Sequence, residues 1–495
     1  MRLIKLLMLL ICATQYFVIS ASENVDSYDV TNKENKPNVG KCLKKNKDIA
    51  LRPPMGWNSF DSYGVALYEE AALKNLEVLA EKFKPYGYEY FVIDAGWFGE
   101  FKLQPGTRIP AEKHATLLNT NEFGLLQPSK IYFPNGFRFI IDRCHQLGLK
   151  FGIHIMRGIP RQSVEMNVPI EGTKYRAQDI VNKIDTCKWC LQNYGVDMTK
   201  PGAQEFYNNW IKQIADWGVD FIKVDDIVPY PAEVAAISKA VKHSGKNIVV
   251  SLSPGEGVDE KALPFFKKAN MLRVTHDIWD DQQGIDACFS AWRKWQGKED
   301  RNFHIDMDMI PFGELQIMNP LPRGLKGNES RKEIAELKKK GELSNFELLA
   351  GKGFNRRSEL SKDQMLTFIT LRALSASPLM IGGDLITMDN FSMSLLTNRE
   401  MIACNQNAVM GKLCFEGNKI EVWNTSEKKS ENGWIGIFNR NQSIVKSFIV
   451  NLNTLGLKKG TYQFYDIWNE RKIDEGQEVI VPPNGVIFIK YKHNH

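Results

Sequence analysis

The chain has 495 residues, 43% of them hydrophobic and 25% charged, with a formal net charge of +6. That is an ordinary globular composition, long enough for one large domain with an appendage and too weakly basic for a nucleic-acid surface. The lysine clusters at 44–47 and 338–340 are short and sit among or beside polar, acidic and apolar residues, which reads as solvated faces.

Residues 1–22, MRLIKLLMLLICATQYFVISAS, combine a basic start, an apolar run and a small-residue exit. This reads as a secretory signal peptide and predicts a secreted or periplasmic product. Lipidation at Cys12 is disfavoured by the bulky Ile11 before it. Residues 23–50 are polar and read as a flexible lead-in. No later apolar run is long enough for a membrane span. Seven cysteines follow the signal: Cys42, Cys144, Cys187, Cys190, Cys288, Cys404 and Cys414. Their odd number prevents complete pairing within one chain. Cys187 and Cys190 form a C-x-x-C without a second such pair or a nearby His pair, which argues against zinc. A local disulfide or two thiols remain, and no metal or cofactor is expected.

From Met55 to about residue 400, short apolar runs alternate with amphipathic helical stretches. The runs are MGWNSF (55–60), YEYFVIDAGW (88–97), LKFGIHIM (149–156), VDFIKVDD (219–226), NIVVSLS (247–253), MLRVTHD (271–277), FHIDMDMI (303–310) and PLMIGGD (378–384). Eight strands alternating with helices predict an α/β fold, a (β/α)₈ TIM barrel, over 51–405. Residues 315–362, rich in Pro, Gly and then charge, interrupt the rhythm between strand seven and helix seven. They read as an inserted lobe overhanging the strand-end face. From 406 to 495 the pattern becomes short alternating strands with Gly, Asn and Lys turns, predicting a C-terminal antiparallel β-sandwich domain.

Polar residues stand at strand end after strand end: Asp94, His154, Lys223 with Asp225, Ser253, Arg273 with Asp277, and Asp306 with Asp308. One such group is ordinary; a ring of them at the C-terminal face of a barrel is where such enzymes work. Lys223 and Asp225 lie two apart and share a strand face, whereas Asp226 reads as a loop or cap residue. Asp306 and Asp308 read as rim or supporting groups. No G-x-S-x-G turn supports acyl transfer, and no glycine-rich phosphate loop is present. Carboxylates with Trp57, Trp97 and Trp279 suit a sugar, because carboxylates bond hydroxyls and indoles stack on C–H faces. Trp189, inside C-K-W-C, reads as loop packing or as a cap on the pocket. The rival readings are a lyase using Lys223 as a Schiff base, which the flanking acids disfavour, and an inactive carbohydrate-binding protein.

PPMGWNSFDSYG, YEYFVIDAGW, LKFGIHI, GVDFIKVDD, RVTHD, HIDMDM and SPLMIGGDL, in this order over residues 50–490, resemble glycoside hydrolase family 27, the α-galactosidase or melibiase family. The resemblance implies a retaining exo-glycosidase acting on a small-molecule or oligosaccharide substrate with a terminal galactose-like sugar. It implies Asp225 as nucleophile, Asp277 as acid/base, and Trp57, Asp94, Lys223 and Arg273 at sugar-binding positions. Trp97, His154 and Ser253 join them as candidate binding residues. Three departures stand out. Ala95 replaces a second acid after strand two, Ser253–Pro254–Gly255 replaces a Glu-containing loop after strand five, and the family's Cys after the strand-four Asp is missing. The first makes room for a sugar without a C6 hydroxyl and the second falls near where C2 should sit, so the alternative substrate is another axial-C4 sugar, a β-L-arabinopyranoside or an α-N-acetylgalactosaminide.

Overall fold

The computed structural model describes residues 49–494, except 113, 255–257, 322–324, 326–330 and 341–349. The signal peptide, most of the lead-in, Cys12, Cys42 and part of the 315–362 insertion therefore lie outside the described residues.

Eight short strands, β1 Met55–Asn58, β2 Tyr90–Ile93, β3 Lys150–Met156, β4 Phe221–Asp225, β5 Val249–Leu252, β6 Met271–Arg273, β7 His304–Asp306 and β8 Leu379–Ile381, form one parallel sheet. The pairing runs β7-β6-β5-β4-β3-β2-β1-β8. Ile310 closes the ring by a parallel bridge to Ile381 in β8. Its N–H donates to the Met380 carbonyl at 2.8 Å, and its carbonyl accepts from Gly382 at 3.0 Å. The strands are buried on both faces, which is why they read as nearly continuous apolar runs. Helices follow them in alternation, including Glu69–Val78, Gly136–Gln146, Ala203–Trp217, Pro231–His243, Gln282–Trp295, Lys362–Leu374 and Arg399–Gln406. Ala203–Trp217 shows the local logic well. Phe206, Tyr207, Trp210, Ile211 and Ile214 make one buried stripe, and Gly218, at φ 96°, ends the helix in the left-handed conformation a C-terminal cap requires.

Beyond the barrel, strands β9 Lys412–Gly417, β10 Ile420–Ser426, β11 Gly433–Asn439, β12 Lys446–Ile449, β13 Thr461–Asp466, β14 Arg471–Ile473, β15 Glu478–Val481 and β16 Val486–Asn494 are antiparallel. Six form a sheet in the order β9-β10-β11-β16-β13-β14, and β12 pairs with β15. Ile420, Val422, Ile435, Ile437, Val479, Val481, Ile487 and Ile489 fill the core of this sandwich.

Barrel and sandwich belong to one compact unit. Trp292, on helix Gln282–Trp295, stacks on Trp423 of β10 with ring centroids 3.8 Å apart, and its Nε1 donates to the Gly411 carbonyl at 3.0 Å. Arg440 lies 3.6 Å from the Phe289 ring centroid and pairs with Glu421 and Asp286.

Candidate active site

A cavity of about 640 Å³ opens at the C-terminal end of the barrel strands. Asp94, His154, Lys223, Asp225, Arg273 and Asp277 all line it. Strand register brings them together: β3 and β4 pair His154 with Lys223 and Met156 with Asp225, so these side chains emerge at one level.

The floor is an alternation of charge. Lys223 Nζ donates to Asp94 Oδ2 at 2.9 Å, and Asn58 Nδ2 donates to the same oxygen at 2.7 Å. Burial alone would raise the Asp94 pKa, but Lys223 and His154 outweigh it and hold the carboxyl below its ordinary value. Burial likewise works against a charged Lys223, yet Asp94 and Asp225 raise its pKa. A lysine held protonated has no lone pair to attack a carbonyl, which removes the support for a Schiff-base lyase.

Asp225 is the last residue of β4. His154 Nε2 lies 3.2 Å from its Oδ2, and the Asp226 N–H donates to its Oδ1 at 3.0 Å. An ionised carboxylate only accepts, so the histidine nitrogen is the donor. Burial pushes the Asp225 pKa up, but the His154 hydrogen bond, Lys223 and Arg273 win, holding it well below the ordinary carboxylate range. The group is thus a fixed anion at the bottom of a pocket.

Asp277 differs. Its side chain is 60% exposed at the cavity mouth, and Arg273 Nη2 donates to it at 2.9 Å. Desolvation against the pocket wall raises its pKa, Asp308 and Asp225 add to the rise, and Arg273 and Lys223 oppose it. Two carboxyls in one cavity are therefore pushed in opposite directions, which is how a site separates a nucleophile from an acid.

Asp308 supports this arrangement. It adopts φ 73°, accepts from Arg273 Nη1 at 3.3 Å, and accepts the Ile278 N–H at 2.8 Å. It thereby fixes both ends of the segment that carries Asp277. Asp306 is buried beside it, and burial together with the Asp308 charge pushes its pKa up to about 6. Asp280 is buried and ion-paired with Arg356, so its charge is already committed.

Asp226 leaves the strand at φ 55° and turns its carboxylate to Arg157, 3.0 Å away. Arg157 is the residue the sequence reading passed over. Buried just after β3, it also pairs with Asp185 at 2.6 Å and Glu233 at 2.9 Å. Its guanidinium carbon lies 3.2 Å from the Tyr230 ring centroid. The clue was present in sequence, since Arg157 is one more charge at the end of a buried strand.

Of the three tryptophans expected at the pocket, Trp279 lines the cavity and the other two do not. Trp57 is fully enclosed, stacks on Phe91 with centroids 4.9 Å apart, and donates its N–H to the Gly383 carbonyl at 2.9 Å. Trp97 is also enclosed and donates to the His154 carbonyl at 2.7 Å. Neither is among the residues lining the cavity; both pack behind its wall. The aromatic lining comes from Phe60, Phe101, Trp189 and Trp279. Ser253 is buried with an unpartnered Oγ and lines a small void beneath the main cavity, between Lys223, Arg273 and Asp306. Its successor Pro254 reaches the main cavity, as does Ala95, while Gly255 lies outside the described residues. Ala350 and Gly351 bring the end of the 315–362 insertion to the rim. Cys187 and Cys190 are both free thiols.

Comparison with known proteins places this site in a family. A domain model described as the alpha galactosidase C-terminal beta sandwich domain matches residues 417–491. A β-L-arabinopyranosidase of glycoside hydrolase family 27 from Geobacillus stearothermophilus is 34% identical, with a TM-score of 0.76, over 90% of this chain and 97% of that one. This chain belongs to glycoside hydrolase family 27. A variant of the same Geobacillus stearothermophilus protein in complex with arabinose is 33% identical, with a TM-score of 0.77 over 90% and 98% of the two chains. Among sequence relatives, Alpha-galactosidase 2 of Arabidopsis thaliana is 24% identical over 385 residues, 76% of this chain and 73% of its own.

Proposed function

We propose that this family 27 protein is a secreted, retaining exo-glycosidase that hydrolyses terminal α-galactosides, with Asp225 as nucleophile and Asp277 as acid/base. The observation that carries the reading is the opposed pair: an anion fixed on β4 by His154 and a carboxyl of raised pKa at the mouth of the same cavity. Asp225 attacks the anomeric carbon while Asp277 protonates the departing oxygen. A glycosyl ester forms on Asp225. Asp277, now a base, takes a proton from water, which releases the sugar. Lys223 and Asp94 face the sugar hydroxyls, and Arg273 steers Asp277. No metal is required, because the charge developing on the leaving oxygen is met by a proton. Secretion rests on the signal-like residues 1–22 alone, and detection of mature protein lacking them in the extracellular or periplasmic fraction tests it.

A specific residue favours a second sugar. Ala95 lines the cavity directly after Asp94, where the family's α-galactosidases usually carry another acid. β-L-Arabinopyranose has the ring configuration of α-galactose and lacks only the hydroxymethyl at C5, and a methyl side chain at 95 leaves that corner without a polar partner. Aryl α-galactoside and β-L-arabinopyranoside are the substrates to assay side by side. The wild type is expected to cleave both, the pentoside at a comparable or greater rate. Ala95→Asp should move the kcat/KM ratio toward the galactoside by about tenfold or more, the worth of one charged hydrogen bond to the added hydroxyl. An unchanged ratio would remove position 95 from the specificity problem. Failure to cleave any galacto-configured glycoside would remove the glycosidase reading itself.

A further inference from the structure

Three large apolar side chains stand exposed around the mouth of the catalytic cavity: Leu117 at 52%, Trp189 at 54% and Leu191 at 63%. All three line the same cavity as Asp225 and Asp277. They come from two separate segments. Leu117 lies on the short strand Leu117–Leu118. Trp189 and Leu191 lie in the turn that joins strands Val181–Thr186 and Asn193–Val196. Exposed apolar groups gathered from distant parts of the chain onto one rim mark a surface that is covered in use.

Two polar groups nearby, Gln162 and Arg161, are already committed, while His114, Glu165 and Gln192 also line the cavity. Gln162 exchanges hydrogen bonds with the Leu118 backbone, accepting at 3.2 Å and donating at 3.0 Å. Arg161 lies over the Tyr194 ring at 4.5 Å and donates to the Asn193 carbonyl at 3.4 Å. Leu117, Trp189 and Leu191 give this part of the rim an apolar surface that includes an exposed indole. The segment is also anchored. Arg157 ties Asp185, at the end of its outer strand, to Asp226 beside the nucleophile, and Gly195 leaves the room this needs: a Cβ there would lie 2.2 Å from Asp185 Oδ2. A segment anchored in this way loses less freedom when a ring docks on it.

We propose that Trp189, Leu191 and Leu117 form an aglycone subsite that selects substrates whose leaving group is an aryl ring. The proposal rests on the glycosidase reading above, and its experiment separates the two. Wild type, Trp189→Ala and Leu191→Ser are assayed on the 2-naphthyl and methyl glycosides of one sugar and on a disaccharide ending in it. Each variant is compared with wild type on the same substrate, so intrinsic leaving-group reactivity cancels. The expected result is a fall in kcat/KM on the naphthyl glycoside about tenfold greater than on the methyl glycoside for Trp189→Ala, the scale of burying part of an indole. A smaller difference in the same sense is expected for Leu191→Ser. Both side chains are solvent-exposed, and matching melting temperatures establish that both variants fold. Equal losses on the naphthyl and methyl substrates would overturn the proposal. So would a disproportionate loss on the disaccharide, which would make a second sugar the occupant. A wild type inactive on every glycoside would instead fail the glycosidase reading, and the subsite with it.

Discussion

Asp225→Ala is expected to abolish turnover while leaving the protein folded. Loss of a covalent nucleophile costs roughly 10⁴-fold or more in kcat. The fold survives because Asp225 ends its strand at the cavity, with its side chain 13% exposed, and belongs to no packed apolar layer. Removing it leaves His154 Nε2 without an acceptor and Lys223 with one negative neighbour fewer, a local imbalance that azide can relieve. With the carboxylate gone, azide occupies its place and attacks the anomeric carbon from the same face. Part of the rate should return, and the product should be the glycosyl azide of inverted configuration. Asp226→Ala, in contrast, loosens the Arg157 cluster and should retain substantial activity. A dead Asp226 variant beside an active Asp225 variant would mean that the reacting carboxylate is the one held by Arg157.

The second large effect concerns Asp277→Ala. An acid catalyst contributes roughly 10²–10⁴-fold where the leaving group needs a proton. The variant should lose about that much on alkyl glycosides and about tenfold or less on dinitrophenyl glycosides, which depart unaided. The pH profile gives an independent reading. Asp225 must be ionised, and its pKa is lowered, so the acidic limb of wild type should lie below the ordinary carboxylate range. Asp277 must be protonated, and its pKa is raised, so activity should fall as pH rises through it. Because the two carboxyls share a cavity, the limbs report macroscopic values of the pair. Once the glycosyl ester forms, the negative charge on Asp225 is gone and the Asp277 pKa falls, which suits its second role as base. Asp277→Ala should flatten the basic limb. Equal losses on both leaving groups with the basic limb intact would assign the acid to another residue, Asp308 first, since it shares Arg273.

The barrel was legible because each strand is a buried apolar run ended by a charge, and glycines or turn residues separate it from the next helix. The charged half of the site was legible for the same reason: Asp94, Lys223, Asp225 and Arg273 can only end where the strands end. The aromatic half was legible only in part: Trp279 lines the cavity as expected, Trp57 and Trp97 do not. Tryptophan suits a sugar face and a packed core equally well, and strand position does not reveal which side of the wall the indole takes. Trp57 and Trp97 pack behind the wall, whereas Trp189, which read as loop packing or as a cap on the pocket, reaches the mouth. Arg157 was missed because its three partners, Asp185, Asp226 and Glu233, are distant from it in sequence, and only the fold brings them together.

The stacked indoles of Trp292 and Trp423 have a consequence for how this molecule can be divided. They belong to one apolar core that runs from the barrel helices through Trp434, Phe438 and Phe488 of the sandwich. Ending the chain before Lys412 would bare the Phe289 and Trp292 faces and strip the Gly411 carbonyl and Trp292 N–H from their setting. A catalytic fragment made that way should be recovered in aggregates and not as a smaller enzyme. Heat should melt the intact protein in a single calorimetric transition, because neither half keeps a complete interior without the other. The sandwich, remote from the chemistry, would then serve the enzyme as a permanent wall of its folding unit. Genetic shuffling of the two halves between relatives would succeed only where the residues of this seam travel together.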